Sequence, residues 1–176
     1  ADSEAREKMH NASTMAGMAF ANAFLGMSHS MAHKIGGVHH TVHGRTNAIL
    51  LPYVIRYNGT RPSKTTTWPK YNYWKADEKF QDIAKMLGLP HSTPEEAVEA
   101  YAKAVYELGV AVGIKMNFKD QGIDEKAWKD SLHEIALLAY EDQCSPANPR
   151  LPMVADMEEI MADAYYGYAE RPGRRK

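Results

Sequence analysis

The sequence predicts an all-α domain of six or seven helices, on three observations. Apolar residues in its second half recur at three- and four-residue steps, helix-starting caps stand before several of these stretches, and no segment alternates with a period of two. At 176 residues the chain is long enough to bury one core and short enough to be a single domain.

The first predicted helix covers residues 3–24, with Glu4 and Glu7 near its start, where acidic groups favour the helix dipole. Residues 9–33 contain no Asp, Glu, Lys or Arg. His10, Asn11, Asn22, Ser28, His29 and Ser30 interrupt that stretch, and its clean apolar run is too short to cross a bilayer, so a helix buried inside protein is expected. Gly26 is read as a break, Met27 to Ile35 as a short second helix, and Gly36-Gly37 as its stop. Residues 45–57 place Ala48, Leu51 and Ile55 on one side of a third helix, which Pro52 should kink.

Asn58 to Trp74 reads as a long loop whose aromatic residues, Trp68, Tyr71, Tyr73 and Trp74, favour a contact surface. Asn58-Gly59-Thr60 matches a glycosylation acceptor, but no secretion signal accompanies it. A helix over 76–87 carries Phe80, Ile83, Ala84 and Leu87 at helical steps. Thr93-Pro94-Glu95-Glu96 has the N-cap, first-turn proline and reciprocal glutamate of a capping box, opening a helix to about Val112. Asp124 should cap another through Tyr140, with Trp128, Leu132, Ile135 and Ala139 on its apolar stripe, and a last helix is expected over Asp156–Tyr165.

Charge narrows the function classes. The 21 basic and 22 acidic residues are mixed along the chain, which gives no electrostatic argument for nucleic acid or an anionic membrane surface. A single cysteine, Cys144, excludes an internal disulfide framework and fits a reducing, cytoplasmic compartment.

The chemistry is concentrated in one place. His29, His33, His39, His40 and His43 fall within fifteen residues, and imidazole is the commonest protein ligand for mid-row divalent metals. His29 and His33 are four apart, so a helix would project them from one face. A chain reversal at Gly36-Gly37 would fold His43 back towards them, while His39 and His40 sit in a loop and face solvent or cover the site. Carboxylates are the usual partners of iron, yet no Asp or Glu occurs between residues 8 and 75. Either a distant carboxylate such as Glu141 or Asp142 folds in, or further ligands lie on other polypeptide.

Residues 17–58, G-M-A-F-A-N-A-F-L-G-M-S-H-S-M-A-H-K-I-G-G-V-H-H-T-V-H-G-R-T-N-A-I-L-L-P-Y-V-I-R-Y-N, closely resemble the signature of iron-containing (type III) alcohol dehydrogenases. More narrowly, K-M-H-N-A-S-T-M-A-G-M-A-F-A-N-A-F at 8–24, S-M-A-H-K-I-G at 30–36 and D-Q-C-S-P-A-N-P-R at 142–150 resemble the C-terminal alcohol dehydrogenase module of bifunctional aldehyde-alcohol dehydrogenases. The resemblance implies iron held by one Asp and three His, the last two ligands being His29 and His43. His33 would stand beside the nicotinamide of NAD(H) and help proton transfer. Phe20 would line the substrate pocket, and Cys144 would lie near that pocket and the nicotinamide end of the cofactor. The implied reaction interconverts acetaldehyde and ethanol, with ferrous iron polarising the substrate oxygen; zinc suits the same imidazoles.

No Gly-rich turn between strand and helix is present, so residues 1–176 read as a single helical iron-binding domain lacking the upstream dinucleotide-binding half and the aldehyde dehydrogenase part. The expected partners are those upstream parts, a small alcohol or aldehyde, and further copies in a homo-oligomer or filament. A rival from another class is a non-enzymatic helical module that binds metal or mediates filament assembly. A metal-dependent hydrolase would need carboxylates interleaved with the histidines, and residues 29–43 contain none. With two metal ligands and no cofactor fold, the chain alone should be catalytically inert; steady NADH oxidation with acetaldehyde by this chain would refute that.

Overall fold

The computed structural model describes residues 2–62 and 74–167. Seven α-helices make up the described residues: α1 Ser3–Ala23, α2 Met27–His39, α3 His43–Gly59, α4 Ala76–Met86, α5 Pro94–Ala111, α6 Glu125–Tyr140 and α7 Val154–Tyr166, with one 3-10 turn at Ser145–Ala147 and no strand among them. Most of the expected loop at 58–74, including Trp68, Tyr71 and Tyr73, lies outside the described residues. No described helix is long and apolar enough to cross a membrane.

The starts of the helices follow their caps. Asp2 accepts a hydrogen bond from Ala5 N, Thr93 Oγ1 from Glu96 N and Asp124 Oδ1 from Ala127 N, each satisfying one orphan donor of a first turn. Glu96 reaches back to the N–H of Ser92, one residue before the cap, which shifts the expected reciprocal bond by one position.

Three corrections concern the first sixty residues, two of them at helix level. Helix α1 is not buried: none of its residues is, and Met9, Met15 and Met18 are exposed. Helix α2 does not stop at Gly36-Gly37 but runs on to His39, and His40 ends it in the left-handed region at φ +54°. Two consecutive glycines weaken a helix without obliging it to end. Here the segment that returns from His40 lies over Gly36, where a Cβ would stand 3.5 Å from Thr41 O. Helix α3 continues through Pro52 to Gly59.

Helices α2, α3, α6 and α7 enclose the main core, which includes Met27, Met31, Ile35, Leu50, Ile135 and Met161. At its centre Trp128 stacks on Phe118 and Tyr165, with ring centroids 4.9 and 5.2 Å away. His39 is not a solvent-facing loop residue. Its ring lies 5.3 Å from that of Trp128, and its Nε2 is 3.0 Å from Ser131 Oγ. A second cluster joins Ile55 of α3 to Val98 and Ala102 of α5. Gly59 permits that contact, since a Cβ there would stand 2.5 Å from Val98 Cγ2. The Arg56 guanidinium donates twice to the Glu99 carboxylate across the same helix pair, both bonds 2.7 Å long.

A buried amide pair ties three separate stretches together. Asn148 Nδ2 donates to Asn58 Oδ1 at 2.7 Å and to Arg150 O at 2.6 Å, while Asn148 Oδ1 accepts from Asn58 Nδ2 and from Met27 N at 3.3 Å. Asn58 is 6% exposed and Asn148 1%, so the acceptor-like sequence at Asn58 is a structural position. The side chain of Asn148 also fills the space beside Gly26, where a Cβ would meet its Oδ1 at 2.7 Å.

Two outcomes follow from this packing. Asn148→Ala orphans the amide groups of Met27 and Asn58 and should cost roughly 2–4 kcal/mol of stability, measurable by urea unfolding. The second concerns pH. Burial, then repulsion from His40, lowers the pKa of His39 from its ordinary 6.5. The unfolded chain therefore binds more protons between the two values, so the contribution of His39 is complete above the unfolded pKa and is lost as pH falls through the folded one. Urea midpoints of a His39→Gln variant should vary less with pH across that window than those of the unaltered chain.

Candidate metal centre

The returning segment after His40 brings three imidazoles to one point. His29 and His33 project from consecutive turns of α2, and His43 opens α3. The ring of His43 lies 5.4 Å from that of His29 and 5.3 Å from that of His33, nearly parallel to the latter at 14°. The His29 and His33 rings are 6.3 Å apart. The connection is held by Thr46, whose buried hydroxyl bonds to Val42 O at 3.1 Å and to Thr41 Oγ1 at 2.7 Å.

Each ring has a different environment. His29 is half-buried, and burial, reinforced by repulsion from His43 and then His33, lowers its pKa, keeping the ring neutral as a ligand must be. His43 is exposed, and its Nε2 is 3.1 Å from Asn47 Nδ2. Asn47 is itself oriented by Ser28, whose hydroxyl donates to Asn47 Oδ1 at 3.0 Å. Neither Asn47 nor Ser28 stands out in the sequence, although Asn47 sits one helical turn from His43, a spacing that permits the contact.

The structure brings Phe20 and Cys144 to the same region. The ring of Phe20, 46% exposed at the end of α1, lies 6.5 Å from that of His29. Cys144 is buried in the turn after α6. Asp142, two residues earlier, is the distant carboxylate that folds in: its Oδ2 lies 3.2 Å from His33 Nδ1 and 2.9 Å from Lys34 Nζ, and its Oδ1 accepts from Cys144 N at 3.0 Å. Burial alone would raise the Asp142 acid, but these donors outweigh it and hold its pKa well below the usual carboxylate range.

One donor from each of His33, Asp142 and Cys144 lies within 4.8 Å of the others, a spacing compatible with a cation. The chemistry there opposes one. The Lys34 ammonium already occupies the carboxylate, and burial, then Asp142, pushes the Cys144 thiol up to about 11, so it stays protonated. The better donor pair is His29 with His43: adjacent rings, no hydrogen-bond partner for the His29 ring among the described residues, and only the Asn47 amide against that of His43. Two imidazoles do not complete a tetrahedral or larger shell, so this face offers part of a centre.

The sequence model of the Fe-containing alcohol dehydrogenase family, C-terminal, matches residues 1–165. The chain is 80% identical over all 176 residues to an aldehyde-alcohol dehydrogenase of Streptococcus pneumoniae serotype 2 (strain D39 / NCTC 7466), covering 20% of that protein. It is 39% identical over 166 residues to the bifunctional aldehyde-alcohol dehydrogenase AdhE of Escherichia coli (strain K12), covering 93% of this chain and 19% of that one. The crystal structure of a 1,3-propanediol oxidoreductase superposes with a TM-score of 0.79 at 33% identity, over 94% of this chain and 39% of that one. The chain thus spans about a fifth of the length of the aldehyde-alcohol dehydrogenases it matches. With fold and sequence in agreement, the chain belongs to the iron-containing alcohol dehydrogenase family, as its C-terminal domain.

Proposed function

We propose that residues 1–176 are the helical iron-binding domain of an NAD-dependent aldehyde-alcohol dehydrogenase that interconverts acetaldehyde and ethanol in the reducing cytoplasm. The observation that carries this reading is the convergence of the His29 and His43 rings, 5.4 Å apart, on a face open to further ligands. His29 and His43 would hold the metal, ferrous iron in the enzyme, with zinc acceptable to the same nitrogens. The remaining Asp and His ligands and the dinucleotide-binding fold would come from upstream parts of the same protein. That reading is supported by the chain's small share of its relatives' length. When bound, the metal supplies Lewis acidity at the substrate oxygen and the nicotinamide supplies the hydride chemistry.

The chain's own residues do the rest. His33, its side chain 35% exposed and its ring stacked beside that of His43, would exchange the alcohol proton, a task suited to imidazole near neutral pH. Phe20 would wall the pocket for a small alcohol or aldehyde, and Cys144 would back it near the nicotinamide as a neutral, packed thiol. Assembly into homo-oligomers or filaments is part of the proposal; the exposed methionines of α1 support a protein contact there.

The test uses the full-length protein. Replacing His29 and His43 together by Ala should remove the bound iron and abolish acetaldehyde-dependent NADH oxidation. Undiminished iron content in that variant sinks the metal assignment. His33→Ala should retain the metal while lowering kcat by roughly 10²–10⁴.

A further inference from the structure

Asp142 is held more firmly than a surface carboxylate has reason to be. Its side chain is 7% exposed, it lies in the turn that follows α6, and its own backbone is fixed twice, Asp142 N donating to Ala139 O and Asp142 O accepting from Ser145 N. Three donors from three different residues converge on it: His33 Nδ1, Lys34 Nζ and Cys144 N. An ionised carboxylate has no proton to give, so the His33 nitrogen that faces it must be the one carrying hydrogen. That fixes the tautomer of a ring which, on the reading proposed above, exchanges the substrate proton.

We infer that Asp142 is a positioning residue for His33: its carboxylate holds the Nδ1–H and orients the ring, leaving Nε2 as the nitrogen that takes and returns the proton. In the oxidising direction the O–H bond of the alcohol breaks as an N–H bond forms at Nε2. The resulting imidazolium is stabilised by the carboxylate at Nδ1, and Nε2 then passes the proton to water. Lys34 shares the same carboxylate oxygen and keeps the pair near neutrality while the ring is uncharged. The arrangement follows a general rule that an imidazole works through one nitrogen when the other is anchored.

The inference rests on the proposed role of His33, and the experiment separates the two. In this chain, labelled with ¹⁵N-histidine at mildly alkaline pH, nitrogen shifts should show His33 protonated at Nδ1, and Asp142→Asn should move it towards the Nε2-protonated form. In the full-length enzyme the same variant should lose about 10–100-fold in kcat, with KM and metal content within about twofold. Asp142→Glu should recover part of that loss. Lys34→Met, which removes a partner of the carboxylate but leaves its bond to Nδ1, should lose less kcat than Asp142→Asn.

A wild-type His33 protonated at Nε2 overturns the inference whether or not the asparagine variant folds. So does an unchanged kcat in Asp142→Asn, or a loss in Lys34→Met equal to that in Asp142→Asn, which would make the carboxylate an ion-pair anchor only. If His33→Ala leaves kcat intact, the proton role itself fails. If His33→Ala is impaired while Asp142→Asn is not, only the positioning inference fails.

Discussion

The reversal at His40 is the constraint on which the site depends. A non-glycine residue in the left-handed region costs roughly 1–2 kcal/mol, so it persists only where its surroundings over-determine it. Here they do. His39 is fixed from one side by Trp128 and Ser131, and the Thr46 hydroxyl closes the turn from the other through Thr41 and Val42. Between these anchors the chain doubles back over Gly36, and the first residue of α3 arrives beside the side chains of α2. Without that return, the thirteen residues between His29 and His43 would carry the two rings apart.

The electrostatics of the face divide it into two zones. Around His29 and His43 there are only imidazoles, an amide and a hydroxyl, and the His29 ring has no hydrogen-bond partner among the described residues. Around His33 a carboxylate and an ammonium face each other in a largely buried turn. A cation is therefore opposed in the second zone by a charge that the first zone lacks, although their donors are close neighbours. Burial enforces the division: it disfavours charging the His29 ring and keeps Cys144 a thiol, while the hydrogen bonds to Asp142 keep that group ionised.

The second half of the fold was legible because its signals are local. Thr93, Asp124 and the apolar stripe through Trp128, Ile135 and Ala139 each specify a helix from within a few residues, and those helices form where expected. The first half was less legible because its signals depend on distant partners. Gly36-Gly37 reads as a stop only if the returning segment that packs over it is ignored. The uncharged length of α1 reads as buried, yet the described chain offers nothing that covers it. The histidine spacing suggested the metal face, and the resemblance singled out His29 and His43. The contacts that hold the face together, Asn47 on His43, Asp142 on His33 and Asn148 at Gly26, span four to over a hundred residues. Only the shortest of these was open to inspection by periodicity.

Cys144 carries a practical consequence. Its thiol is walled off by packing and stays protonated at neutral pH, so it is a poor nucleophile towards alkylating or maleimide reagents. The chain is in effect a blank background for site-directed labelling. A cysteine engineered at an exposed position of α1, such as Met9 or Met15, would be the fast-reacting thiol, and a dye placed there would report what settles on that helix in the assembled protein.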